Sequence, residues 1–541
     1  MHMLASLLPL AVAAPLAAIP AEGSADQQYH HKPAPLAVGA SIEWRRINLL
    51  HLTDVHSFIA GNRHEGVDAD YGDLVSFVQH LHALADARGV DLFVLNTGDL
   101  VDGTGMSDAT PVAGEFLAPI LKRIPYDALT IGNHELYEDS TVENLETSGF
   151  LQHFGERIVT SNQRLEQGGH PPIGGSQHTV LEGRNGARLL AFGFLFNFQS
   201  TGPATLVARV EEVVQERWFA AAVAEHAGSV DAVVVLAHMG WDDSAVEIIR
   251  TAIRQAADAP LLPIVVLAGH THIRRFQRLD DHAAVLESGR YFDCIGAISF
   301  TPDADRTWFE YAYEQTSLEN LRKLSGTDEQ SFPTREGALV KAEIAAVRER
   351  FGLDEVLGCT PDGVTRLRRS LDLADPDSLW RLALTEVIPS TVFHPPLNSS
   401  QILIAGSGGI RYDIFSGFVT RDDTMIVSPF RDEIYRFAAL TAEEASTVLA
   451  SLGVAVPGEA SLPGLVATAR PEAGSSYDLL ALDFDLTRVR DAVREATGDG
   501  RTEVPYRHGE LDTTTMWESW VSANWAQHCE GLLPGRAKQA N

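Results

Sequence analysis

At 541 residues the chain exceeds the roughly 250–300 at which a single hydrophobic core stops growing, so two large domains are expected. A hydrophobic fraction of 45% and a charged fraction of 21% exclude a disordered or fibrous chain. Against 42 Lys and Arg stand 73 Asp and Glu, a formal charge of −31 that repels nucleic-acid polymers and anionic lipid but leaves room for small phosphorylated ligands beside bound cations.

Residues 1–20 are apolar and rich in Leu, Ala and Pro, with small residues at Ala11, Ala13, Ala17 and Ala18. They read as a cleaved signal peptide, although only His2 stands in for the usual basic residue. Residues 21–40 read as a disordered leader. No later stretch reaches the roughly 20 apolar residues of a membrane span, so no stable membrane anchor is expected and the chain reads as secreted or vacuolar. The cysteines, Cys294, Cys359 and Cys529, form no disulfide framework; one pair could bridge in an oxidising compartment, and spacing leaves the pair open. Asn398-Ser399-Ser400 is a glycosylation sequon compatible with export.

From residue 41 short apolar runs alternate with helix-like stretches, which predicts an α/β layered domain over 41–324. Ile47–Leu52, Leu92–Asn96, Ala128–Ile131, Leu189–Phe194, Ala232–Ala237 and Ile264–Ala268 read as buried strands, and Leu74–Ala87 and Val207–Ala224 as helices. Another strand is expected within Tyr291–Phe300. Residues 325–351 read as a polar linker and an interdomain helix, Arg335–Phe351, and 352–541 as a second, smaller α/β domain.

Five of the strands run directly into polar residues: Asp54 and His56, Gly98-Asp99, Gly132-Asn133-His134-Glu135, His238, and Gly269-His270-Thr271-His272. The C-terminal edge of an α/β sheet is where such folds place their sites. Each motif alone reads as a helix cap or a hydrogen-bonded core histidine. Together they place too many polar groups at strand ends to be accommodated without positive charge among them. Asp54 and His56 are one residue apart, as are His270 and His272, so in extended backbone each pair points to one side. Carboxylate, amide and imidazole without thiolate suit two divalent ions such as Zn, Mn or Fe, and a bridging carboxylate is expected between them. Asp99 fits that place.

The order D-x-H, G-D, G-N-H-E, H, G-H-x-H resembles the signature of calcineurin-like metallophosphoesterases over roughly residues 45–300. The resemblance implies a four-layer αββα sandwich. It places Asp54, His56, Asp99 and His272 on one metal and Asp99, Asn133, His238 and His270 on the other, with His134 contacting the phosphoryl group. It also implies in-line attack by a metal-bridging hydroxide, with no covalent nucleophile. Tyr137 stands where the family usually carries an Asp supporting the histidine, leaving Glu138 or Asp139 for that role.

In the second domain Gly406-Ser407-Gly408-Gly409-Ile410-Arg411, then Pro429-Phe430-Arg431-Asp432, resembles the C-terminal domain of the 5'-nucleotidase family. The implied substrate contacts are Arg411, Phe430, Gly408, Gly409, Asp432 and Phe484, the last at the end of a strand within Tyr477–Phe484. A guanidinium suits an anionic ligand and a ring suits a base, whereas without the first domain the glycines read as a tight turn and Phe430 as core. Gly406 and Asp432 stand where the family carries Asn, and its Gly-Gly-Asp-Gly-Tyr segment is not recognisable, so the resemblance is to a divergent, fungal-type secreted or vacuolar member. The expected reaction is hydrolysis of a phosphomonoester, a nucleoside 5'-monophosphate first. The alternatives are a phosphodiester or pyrophosphate bond in nucleotide sugars or cyclic nucleotides, and a non-catalytic exported binding protein.

Overall fold

The computed structural model describes residues 42–257, 260–361, 366–367, 372–395, 398, 400–459, 464–498, 501–507 and 509–529. The expected signal peptide and leader, and Ser399 of the sequon, lie outside them.

Eleven strands build the two large sheets of the first domain: β1 (Ile47–Leu52), β2 (Asp91–Asn96), β3 (Ala128–Leu129), β4 (His178–Glu182), β5 (Arg188–Leu195), β6 (Ala232–His238), β7 (Ile264–Ala268), β8 (Arg274–Asp280), β9 (Ala283–Ser288), β10 (Cys294–Thr301) and β11 (Trp308–Gln315). They form two sheets, β11-β10-β1-β2-β3 and β8-β9-β7-β6-β5-β4. Within them β1, β2 and β3 are parallel, as are β5, β6, β7 and β9. Parallel pairing of this kind needs both faces covered, and the strands are accordingly continuous apolar runs.

One core cluster lies between the sheets, joining Leu49, Phe93 and Ile298 to Leu189, Val234 and Val265. Helix α1 (Tyr71–Arg88) covers the outer face of the first sheet through Leu74, Phe77 and Val78. Helices α2 (Arg217–His226) and α3 (Ser244–Ala257) cover the second through Phe219, Val223 and Ile249. The result is the four-layer αββα sandwich. The helix expected over Val207–Ala224 is instead a strand end at Thr205–Val207, a short helix at Val210–Val213 and α2.

Helix α4 (Arg335–Phe351) has the predicted bounds. It packs on α1, where Lys341 pairs with Asp73 at 2.8 Å, and it reaches the second domain through Arg348, 2.6 Å from Asp422. That domain centres on β12 (Gln401–Gly406), β13 (Ile434–Thr441), β14 (Leu465–Ala467), β15 (Ser476–Leu482) and β16 (Val504–Pro505), ordered β14-β12-β15-β13-β16. Helices α5 (Ala442–Ser451) and α6 (Leu486–Thr497) cover one face, and α7 (Thr513–Trp525), with buried Trp517 and Trp520, packs on the other. Cys359 and Cys529 form a disulfide across 170 residues of chain, and Cys294 is free and buried.

Polar bonds tie the two domains together. Asp422 accepts the Gly105 N–H at 2.8 Å, His64 lies 2.8 Å from Asp423, and the Tyr412 hydroxyl donates to Asn62 at 3.0 Å.

Candidate metal centre

Because β1, β2, β3, β6 and β7 point the same way within their sheets, stacking the sheets gathers the loops that follow them at one rim. Asp54, His56, Asp99, Asn133, His238 and His272 are all buried there, and His270 is half-buried.

The backbone does not deliver these side chains as extended segments. Asp54 and His56 have φ of 48° and 45°, Asp99 54°, and His270 and His272 74° and 62°. The expectation that alternation along extended chain aims each pair is therefore corrected: left-handed turns turn them inward, a conformation costly for residues with a side chain and concentrated at functional sites. The motif glycines serve close approach. A Cβ on Gly98 would run into the Gly132 backbone, and one on Gly132 into the Asp99 carboxylate.

Glu135, to which the sequence reading gave no role, holds the two loops in register. Its carboxylate accepts N–H groups from Leu100 at 2.6 Å, Gly132 at 2.8 Å and Asp99 at 3.0 Å. Glu287 on β9 does the same for the second sheet. It accepts the Thr271 hydroxyl and the Trp241 N–H, joining the loop of His270 and His272 to that of His238.

The candidate ligands fall into two groups sharing Asp99: Asp54, His56, Asp99 and His272, and Asp99, His238 and His270. The charge balance within them calls for cations. His238 Nδ1 donates to the Thr97 carbonyl at 2.7 Å, so a neutral His238 would turn its Nε2 lone pair toward Asn133 Oδ1 at 3.1 Å and Asp99 Oδ2 at 3.1 Å. His56 Nδ1 donates to the Asp102 carbonyl at 2.9 Å, so its Nε2 lone pair faces His272 Nε2 at 3.1 Å and Asp99 Oδ2 at 3.6 Å. Asp99 Oδ2 is buried and makes no hydrogen bond. Acceptors converging in this way repel one another unless cations lie among them. Burial opposes a charge on His238, but Asp99 and Asp54 outweigh it and raise its pKa to about 10. Burial and the neighbouring His238 charge lower that of His270 to about 4. Metal ligation replaces such protons, so the donor set fits two divalent ions.

His134 lies beside these groups, its backbone N–H donating to Asp99 Oδ1 at 3.0 Å and its Nε2 4.0 Å from Asp99 Oδ2. Its supporting carboxylate is Asp102, 2.8 Å from Nδ1. This corrects the assignment to Glu138 or Asp139: Asp139 accepts the Ala204 N–H at 2.9 Å, and Glu138 lines the adjoining cavity. Tyr137 has a different task, its hydroxyl accepting from Asn133 Nδ2 at 3.1 Å so that the amide oxygen faces His238. Tyr137→Phe is expected to weaken binding of the second metal by about tenfold, read by titration with a competing chelator.

From His134 a cavity of about 480 Å³ runs between the domains. Arg411, Phe430, Gly408, Gly409, Asp432 and Phe484 all line it, as do Tyr137 and Glu138. The Phe430 ring lies near-parallel to His134 with centroids 6.1 Å apart, and Arg411 is 5.8 Å from Phe430. Phe484 is 63% exposed and meets Tyr137 edge-on at 6.0 Å. A Cβ on Gly408 would meet no protein atom within 4 Å, so packing does not demand a glycine there.

Comparison with known proteins agrees with this geometry. The family model for calcineurin-like phosphoesterases matches residues 47–274, and that for the NAD nucleotidase C-terminal domain matches 368–478. A protein of Saccharomyces cerevisiae, itself uncharacterised, is 30% identical over 462 residues, covering 79% of this chain and 75% of its own. The chain is a calcineurin-like metallophosphoesterase. An Arthroderma benhamiae relative named "Secreted protein" is 30% identical over 451 residues, 74% of this chain and 67% of that one. Among solved structures, the 5'-nucleotidase of Candida albicans superposes with a TM-score of 0.78 at 25% identity, covering 90% of this metallophosphoesterase and 99% of the Candida chain. The two-domain build is thus that of 5'-nucleotidases, and the metallophosphoesterase is a metal-dependent enzyme rather than a binding protein on a borrowed fold.

Proposed function

We propose that the enzyme hydrolyses a phosphomonoester, and a nucleoside 5'-monophosphate before others. The observation that carries this is the cavity leading from His134 to Phe430 and Phe484, walled by both domains and suited to a phosphoryl group at one end and a base at the other. Two divalent ions held by Asp54, His56, Asp99, Asn133, His238, His270 and His272 would supply an activated water and neutralise phosphoryl charge. His134, oriented by Asp102, donates from Nε2 to a phosphoryl oxygen as charge builds there. Arg411 adds a fixed positive charge, and Phe430 and Phe484 offer ring faces to the base.

A second reading, cleavage of a pyrophosphate bond, is favoured by the match of residues 368–478 to the NAD nucleotidase C-terminal domain. A panel of AMP, UDP-glucose, cyclic AMP and generic monoester and diester substrates on metal-loaded protein separates them. Preference for AMP supports the first reading, and faster turnover of UDP-glucose or cyclic AMP overturns it. Phe484→Ala is expected to raise KM for AMP by about tenfold while kcat moves far less, measured by steady-state kinetics.

We also read the protein as exported. The Cys359–Cys529 disulfide fits an oxidising compartment, and none of the described helices is long and apolar enough to cross a membrane. Recovery of the protein from culture medium with its first 20 residues missing is the expected result; an intact N-terminus on cytosolic protein would overturn it.

A further inference from the structure

With two divalent ions in place the cavity would be positive at the metal end, where Asp102 and Asp108 also line it, and acidic at the other. At the metal end Arg411 and Arg290 lie close enough for their fields to reach His272, and Arg411 also acts on His56. At the other end β13 is preceded by Asp432, and β15 is followed by Asp483, Phe484 and Asp485, while Glu138 enters from the first domain. Asp485 is committed to the fold, accepting the Gly406 N–H at 2.6 Å. Asp432 and Asp483 line the cavity together and lie close enough for the Asp483 charge to act on Asp432, and Glu138 feels the Asp483 charge as well. Arg431, next in sequence to Asp432, is held elsewhere, donating to the Asp108 carbonyl at 3.0 Å and lying 3.8 Å from Asp512, while Arg488 acts on Asp485.

Neighbouring carboxyls oppose each other's ionisation. Burial and Asp483 push Asp432 well above the usual carboxylate range. The pair therefore presents acceptor oxygens and a net negative charge to whatever fills the cavity beyond the phosphoryl group. Amino and hydroxyl groups satisfy such oxygens, and a phosphate is repelled by them.

On the reading that the substrate is a nucleotide, we propose that Asp432 and Asp483 are specificity residues that admit an uncharged, donor-bearing leaving group and reject a second phosphate. A monophosphate places its only phosphoryl group at the cationic end and its nucleoside against the acids. A diphosphate bound by its terminal phosphoryl group drives its inner phosphate toward them. The pyrophosphate reading is disfavoured on the same ground.

The test is the ratio of kcat/KM for AMP to that for ADP, in the metal-loaded full chain and in Asp432→Asn, Asp483→Asn and the double variant. Being a ratio, it does not depend on the fraction of protein that folds, and Asp483 is exposed, so its Asn variant is the mildest change. The wild type is expected to favour AMP by about 30-fold and the double variant by about threefold or less, like-charge opposition being what the substitutions remove. Equal use of ADP by the wild type, or a ratio unmoved in all three variants, would overturn the proposal while AMP turnover kept the nucleotide reading. Failure to cleave AMP, with p-nitrophenyl phosphate still hydrolysed, would remove the nucleotide reading and this proposal with it.

Discussion

Asp99→Asn is expected to lower kcat/KM for any phosphomonoester by about a thousandfold, since a preorganised group acting on charge at the reacting centre is lost along with its cation. Asp99 is the one residue common to both candidate ligand groups, and its Oδ2 faces His238 at 3.1 Å and His56 at 3.6 Å without a hydrogen bond. An amide keeps the shape, and its oxygen can still accept the His134 N–H, so the fold is retained. It loses the charge that holds two cations close together. Elemental analysis should find two divalent ions per wild-type chain and one or none in the variant. Added metal should raise Tm in the wild type, because an ion that binds only the folded state stabilises it, and should leave the variant unmoved. Full activity of Asp99→Asn, or of the wild type after chelation, would sink the two-metal assignment.

His134→Ala is expected to cost about 10²–10³ in kcat while leaving two ions bound, because in the proposed mechanism the imidazole would supply a proton donor beside the metals rather than a ligand. Asp102→Asn should cost about 10² by the same route, since it removes the carboxylate 2.8 Å from Nδ1 that, in the proposed mechanism, would fix which nitrogen faces the phosphoryl group. Two readouts separate this from a structural effect. Metal content is unchanged, and the double variant is little worse than His134→Ala alone, as expected of residues acting as a unit. Additive losses in the double variant would mean that Asp102 acts independently of His134.

Much of the first domain is legible in the sequence because its strands are buried on both faces. Such strands are unbroken apolar runs, and Ile47–Leu52 and Ile264–Ala268 have the expected bounds. Val207–Ala224 misleads because helical spacing continues through a strand and a turn whose fates are settled by pairing with Gln163–Leu165. Arg335–Phe351 is read correctly, since Thr334 caps its start and Gly352 ends it in a left-handed conformation.

The metal centre on which the functional case rests divides in the same way. Residue order and strand-end position, taken alone, determine which Asp, Asn and His residues form the candidate ligand set, because the motifs are short and parallel strands deliver their ends to one rim. Tertiary structure alone decides how they are aimed, through left-handed turns and glycines that let loops touch. It also decides that Asp102 rather than Glu138 or Asp139 backs His134, that Cys359 pairs with Cys529, and that Asp432 and Asp483 meet in the cavity. Each of these joins residues from different loops or strands, Asp102 and His134 across 32 positions and Cys359 and Cys529 across 170. Local periodicity and turn chemistry act over a few residues, whereas such meetings are set by how sheets and domains pack.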